Sequence, residues 1–247
     1  VPRLHIFHTN DFHGKLTDEK AALLKRDIER LSAGEPCLLL DAGDAISAGN
    51  LGFNPMGEPV LVRMSALGYD AMTMGNRETH PSLPVVRTKL SKATFPVLCG
   101  NGYVVDDNRH ISRKLLPFRS SVILERGEKK IGIFGVTVPM ATPQKIDAAL
   151  WGNLFAPPIE TAKRLAAELR PQCDFLIALT HIGIAQDRKL AEAIPELDLL
   201  IGGHTHVVLE QPEVVNNVPI VQAGSHARYL GHVIFDDGVV TGALHSL

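Results

Sequence analysis

Residues 4–14 read LHIFHTNDFHG. A mostly apolar run of strand-forming residues leads without pause into Asn, Asp, His and Gly. The first half has the pattern of a buried strand. The second half is a tight turn that carries polar donors. The same join recurs in CLLLDAGD (37–44), DAMTMGN (70–76), CDFLIALTH (173–181) and LDLLIGGHTH (197–206). FPVLCGN (95–101) reads as a further strand of this kind.

Helical patterns lie between these strands. In DEKAALLKRDIERLS (18–32), Ala21, Leu24, Ile28 and Leu31 recur at helical spacing, and Gly34 and Pro36 stop the run. Further helices are expected over residues 57–68, 81–92, 158–170 and 185–194. Residues 103–136 differ in texture: ISRKLLPF, SVILE, a turn at RGEKK, then IGIFGV, the pattern of an antiparallel meander or hairpin. The last forty or so residues read as short strands and turns. Residues 1–247 are therefore expected to form one α/β domain, with two sheets and helices outside.

Composition bounds the function. The chain has 247 residues, enough for a substantial core. Its net charge is −2 with His neutral, so no global field favours a long polyanion, and nucleic acid is not an expected partner. Cys37, Cys99 and Cys173 each lie in or beside an apolar run and form no C-x-x-C pair, so buried reduced thiols are expected. No run approaches the roughly 20 apolar residues that span a bilayer. The chain opens on a strand without a leader-like segment, which gives the expectation of a cytoplasmic protein with no membrane association. Nothing in the sequence points to a protein partner.

The chemistry sits at the strand exits. TNDFHG (9–14), DAGD (41–44), GNRETH (75–80), LTHIG (179–183) and GGHTH (202–206) offer Asp11, His13, Asp44, Asn76, His181, His204 and His206. In open α/β sheets, ligands bind at the carboxyl ends of strands. Residues distant in sequence therefore become expected neighbours there. The donors are oxygen and imidazole without thiolate, a set that suits Mn²⁺ or Zn²⁺, and Fe or Co. Gly14, Gly43, Gly75, Gly183, Gly202 and Gly203 stand beside them, as turns that aim side chains into a shared crevice require. Each motif alone is weak, since a His after a strand is more often structural and a GD is often only a turn. Their joint order carries the argument.

That order, D-x-H, GD, GN, TH, then GHTH, resembles the calcineurin-like metallophosphoesterase superfamily. TNDFHG and GGHTH are most similar to the catalytic domain of 5′-nucleotidases. The resemblance implies a four-layer αββα sandwich and two divalent metal ions. Carried over by position, Asp11, His13 and His206 would hold one ion, Asn76, His181 and His204 the other, and Asp44 would bridge them. It further implies phosphoester hydrolysis, in which a metal-bridged hydroxide attacks phosphorus in line. Two cations about 3.5–4 Å apart acidify a shared water and neutralise phosphoryl charge.

The chain departs from that pattern twice. Nucleotidases of this type carry His after the GN Asn and Asp three residues later, a catalytic pair. Here those positions are Arg77 and His80. Arg77 could neutralise phosphoryl charge while His80 supplies an imidazole. Alternatively the site binds metal but turns over slowly, or both residues are surface or packing positions. Second, the C-terminal substrate domain usual in nucleotidases is not expected within these 247 residues. Asn101, His226 and Arg228 are further candidates for contact with substrate. His8, within a strand, is expected in core or sheet structure. His5, His110, His232 and His245, with no motif around them, are expected to be structural or exposed, and Trp151 is expected to pack in the core rather than anchor a loop or lid. The expected substrate is a small phosphate ester or nucleotide. Alternatives are a cyclic-nucleotide phosphodiesterase using the same site, and a metal-binding interaction scaffold with weak turnover.

Overall fold

The computed structural model describes residues 3–79, 82–105, 111–115, 118–140, 153–236 and 238–247. The first sheet contains β1 (Leu4–Thr9), β2 (Cys37–Asp41), β3 (Ala71–Thr73), β4 (Val97–Leu98), β14 (Tyr229–Asp236) and β15 (Val239–Ser246), in the order β15-β14-β1-β2-β3-β4. The second contains β7 (Ser121–Arg126), β8 (Lys129–Thr137), β10 (Phe175–His181), β11 (Leu199–Ile201), β12 (Glu213–Val215) and β13 (Val218–Val221), in the order β12-β13-β11-β10-β8-β7.

Burial assigns the layers. Leu4, Ile6, Leu38 and Leu40 of the first sheet pack against Ile131, Ile133, Ile177 and Ile201 of the second, so the two sheets lie face to face. Phe7 and Leu39 point the other way, onto helices α1 (Asp18–Ser32), α2 (Pro59–Leu67) and α3 (Leu83–Leu90). Phe134, Leu176 and Leu200 meet α4 (Pro158–Leu169) and α5 (Ile184–Ala193) on the far side. This is the expected αββα sandwich. Strands β1, β2 and β10 bury both faces, which is why they read as nearly unbroken apolar runs.

Local chemistry sets the helix ends. Thr17 caps α1 by accepting from the Lys20 N–H at 3.2 Å, and Ala33 ends it in left-handed backbone. Pro in the first turn starts α2, α3 and α4. The expected spans 57–68 and 81–92 are therefore slightly long.

The antiparallel pairing expected over 103–136 is present, but it is divided between two sheets. β7 and β8 do form an antiparallel hairpin in the second sheet. However, β5 (Gly102–Val105) and β6 (Ile111–Leu115) leave it and join β9 (Asn153–Phe155) in a third sheet, ordered β6-β5-β9. The β5–β9 pairing closes a long loop, which short-range pattern does not reveal. The cysteines also differ from expectation. All three are free, but only Cys99 is buried, while Cys37 and Cys173 are half-buried. Among the described residues, no helix is long and apolar enough to cross a membrane. His110 and Trp151 lie outside the described residues.

Candidate metal centre

Parallel pairing of β1 and β2 continues past the strand ends. Ala42 donates to Thr9 O at 2.9 Å, Asp11 to Gly43 O at 2.9 Å and His13 to Asp44 O at 3.0 Å. The first two motif loops are thus zipped together. Asp11 is fully buried. Its Oδ2 accepts from Asn10 Nδ2 at 2.8 Å and the His204 N–H at 2.9 Å. Its Oδ1 is buried and accepts no hydrogen bond. That oxygen stands 3.3 Å from His206 Nε2 and 3.7 Å from His13 Nε2, which are themselves 3.0 Å apart.

A second cluster forms beside the first. Asn76 Oδ1 is 3.3 Å from His181 Nε2 and 3.0 Å from His204 Nδ1. Asp44 Oδ1 is 3.5 Å from His181 Nε2. His181 Nδ1 donates to Ala42 O at 2.7 Å. That bond fixes the ring and turns Nε2 inward, the arrangement of an imidazole metal ligand. Potential donor atoms of Asp11, Asp44 and His181 lie within 4.8 Å of one another, as do those of Asp11, His13 and His206.

The titrations follow from this crowding. Burial opposes charge on Asp44, yet the bond to His181 and its positive charge hold the carboxyl down to about 2. Burial likewise opposes protonation of His181, but Asp44 and Asp11 raise it to about 9. Burial and the neighbouring Arg77 lower His13 to about 4. The site therefore draws positive charge to His181 Nε2 while keeping His13 neutral. An orphaned carboxylate oxygen and ring nitrogens facing a common centre fit divalent cations. Among the described residues, the donors are N and O only.

The backbone at these positions is unusual. Asp11, His13, Asp44, His204 and His206 adopt φ of 52°, 48°, 54°, 78° and 56°. Non-glycine residues seldom take the left-handed region, and such strain clusters at functional sites. The loops also approach closely. A Cβ at Gly75 would overlap the Asp44 carboxylate, so only glycine fits there.

The centre opens on a cleft of about 590 Å³, whose walls include Asn50, Leu51 and Arg77. A family model described as calcineurin-like phosphoesterase matches residues 4–208. The chain belongs to that family. The chain is 32% identical over 273 residues to the trifunctional nucleotide phosphoesterase protein YfkN of Bacillus subtilis, covering 96% of this chain and 18% of that protein. It is 30% identical over 275 residues to a 5′-nucleotidase of Vibrio cholerae, covering 95% and 49%. The fold is similar to the crystal structure of a 5′-nucleotidase precursor from Thermus thermophilus, with TM-score 0.78, 24% identity, and coverage of 99% and 54%. The chain thus spans about half the length of the latter two and less than a fifth of the first.

Within this phosphoesterase-family chain, the seven motif residues all converge on one centre. Arg77 reaches the rim: its N–H donates to Asp44 Oδ1 at 2.8 Å, and its Nε lies 3.9 Å from Asp44 Oδ2. His226 joins the centre, with its ring 5.2 Å from that of His13 and 5.9 Å from that of His206. Arg228, two residues on, is exposed; its guanidinium bonds Ser225 O at 3.2 Å and lies 5.9 Å over the Tyr229 ring. Asn101 is withdrawn from the candidate substrate contacts. It is fully buried, donates to Thr137 O and Ala156 O, and accepts from the Thr137 N–H, so its amide is spent on backbone. His80 lies outside the described residues.

Sequence reasoning missed the residues that hold the loops. Glu78, fully buried, accepts from the N–H groups of Asp44 (3.0 Å), Gly75 (2.8 Å) and Ile46 (3.2 Å), tying two motif loops together. Burial and the Asp44 charge raise its carboxyl to about 7. It lay in plain view inside GNRETH. Gln222 similarly donates to Gly203 O at 2.9 Å and accepts from the Val207 N–H at 2.6 Å, flanking His204 and His206.

Proposed function

We propose that the chain hydrolyses small phosphomonoesters, nucleotides among them, at a centre of two divalent ions. The observation that carries this reading is the pair of clusters, Asp11–His13–His206 and Asn76–His181–His204, flanking the Asp44 carboxylate at the floor of an open cleft. Its membership of the calcineurin-like phosphoesterase family supports the reaction class. The names of the Bacillus and Vibrio relatives support nucleotides as substrates.

Mn²⁺ or Zn²⁺ suits this donor set best, with Fe or Co next. When bound, such ions supply Lewis acidity and an acidified water as nucleophile. The chain's own residues do the remainder. Asp44 would serve both ions: one of its oxygens is 3.5 Å from His181 Nε2, and its carboxylate lies within 4.8 Å of an Asp11 oxygen. Arg77 places a fixed cation on the rim, where a phosphoryl group's charge must be neutralised. His226, whose ring lies 5.2 Å from that of His13 and 5.9 Å from that of His206, would offer an imidazole to the departing group.

The test is hydrolysis of p-nitrophenyl phosphate and bis-p-nitrophenyl phosphate by metal-stripped protein after adding back Mn²⁺, Zn²⁺, Co²⁺ or Mg²⁺, with Asp44→Ala as control. Metal-restored turnover of the monoester, lost in the control, is the expected result. Faster turnover of the diester would move the reading to a cyclic-nucleotide phosphodiesterase. Metal uptake without turnover of either ester would replace it with a metal-binding scaffold.

A further inference from the structure

An Asn side chain can hold a cation through only one of its two ends, because the amide NH₂ offers no lone pair. Asn76 therefore serves the centre only if its oxygen faces inward. Its Nδ2 donates to Asn50 Oδ1 at 3.0 Å. With that end committed, Oδ1 points at His181 Nε2 and His204 Nδ1.

Asn50 sits in the irregular loop between β2 and α2 and needs an anchor of its own. Lys89 of α3 supplies it. Its side chain is fully buried, a costly place for an ammonium. Its Nζ donates to Gly49 O at 3.3 Å, Asn50 O at 3.4 Å and Arg77 O at 2.6 Å. Three donors meet three carbonyls. Among the described residues, no carboxylate lies within ion-pair distance of it. The carbonyls belong to Asn50 and its neighbour on one side, and to the residue following Asn76 on the other. A lysine that merely satisfied buried loop carbonyls would not need to bracket this amide pair.

We infer that Asn50, anchored by Lys89, is a positioning residue that keeps the Asn76 oxygen turned toward the cation position shared with His181 and His204. This rests on the reading above that a divalent ion binds there. Outer partners of metal ligands commonly govern affinity by about 10–100-fold. Asn50 acts on one of the two ions, which separates its role from a general effect on folding.

Calorimetric titration of the metal-stripped protein with Mn²⁺ tests this without any turnover. The wild type is expected to take two ions. Asn50→Ala should weaken one of them by about 10–100-fold and leave the other unchanged, with an unaltered Tm in the stripped state. Asn50→Asp keeps the acceptor oxygen and should bind both ions at least as tightly as the wild type. Unchanged affinities in Asn50→Ala would overturn the inference. So would equal weakening of both ions, or weakening by Asn50→Asp as large as that by Asn50→Ala. A wild type that takes up no Mn²⁺ would overturn the two-ion reading instead, and is told apart by that result alone.

Discussion

The Nε2 atoms of His13 and His206 face each other at 3.0 Å, and the unpaired Oδ1 of Asp11 lies 3.7 and 3.3 Å from them. Two ring nitrogens and a carboxylate oxygen this close require a proton or a cation between them. Added Mn²⁺ should therefore stabilise the fold. At a hundredfold excess over Kd, linkage gives about 2.7 kcal/mol per site, roughly 5–10 °C in Tm for a chain of this size. Scanning calorimetry with and without a chelator measures it. A Tm indifferent to Mn²⁺ would remove the metal from the cluster.

Among the described residues lining the cleft, Arg77 carries the only guanidinium. Replacing it with Ala should lower kcat on a phosphomonoester by about 10²–10³-fold, the usual cost of losing one donor to transition-state charge. Bound metal should not change, because Arg77 contacts Asp44 without being a ligand. Steady-state kinetics beside elemental analysis gives both numbers. An unaltered kcat would return Arg77 to a packing role.

Gly75→Ala isolates a purely steric requirement. A Cβ there overlaps the Asp44 carboxylate and crowds its backbone. Displacing Asp44 should weaken both ions together and cost about 1–3 kcal/mol of stability. Urea unfolding and Mn²⁺ titration check the two effects. Wild-type metal affinity in this variant would mean that Asp44 does not bridge the clusters.

His8 sets an acid limit on stability. Burial, then the charge of His232, lowers its pKa from 6.5 to about 3. Below pH 6.5 the unfolded chain takes up a proton that the folded chain refuses. Stability from this group is thus present above pH 6.5 and is lost as pH falls from there towards 3. Each pH unit in that window costs about 1.4 kcal/mol, so the loss from pH 6.5 to 5 is about 2 kcal/mol. His8→Leu should remove this slope. Equal pH dependence of urea midpoints in the variant and the wild type would reject the assignment.

The strand-to-loop joins made the centre legible, since apolar runs ending in Asp, Asn or His mark side chains that rigid strands aim. That rule also admitted Asn101, whose strand exit looks the same. Its amide instead bonds Thr137 and Ala156, partners that no local pattern discloses. Lys89 was hidden for the opposite reason. On a helix whose apolar face holds Val86 and Leu90, a lysine reads as solvent-facing, and only tertiary placement buries it. Glu78 was visible as a residue but not as a brace, because its partners are backbone N–H groups of three separate positions.

The left-handed backbone at Asp11, His13, Asp44, His204 and His206 acts as a filter on substitution. Asn, Asp and His tolerate that region with little penalty, whereas β-branched and bulky residues do not. A randomised library at these five codons should therefore yield folded proteins mainly with Asp, Asn, His or Gly. Three of those four are oxygen or nitrogen donors. The loop geometry by itself narrows the alphabet to residues able to bind a cation, so altered metal preference is reachable through small exchanges among them without rebuilding the scaffold.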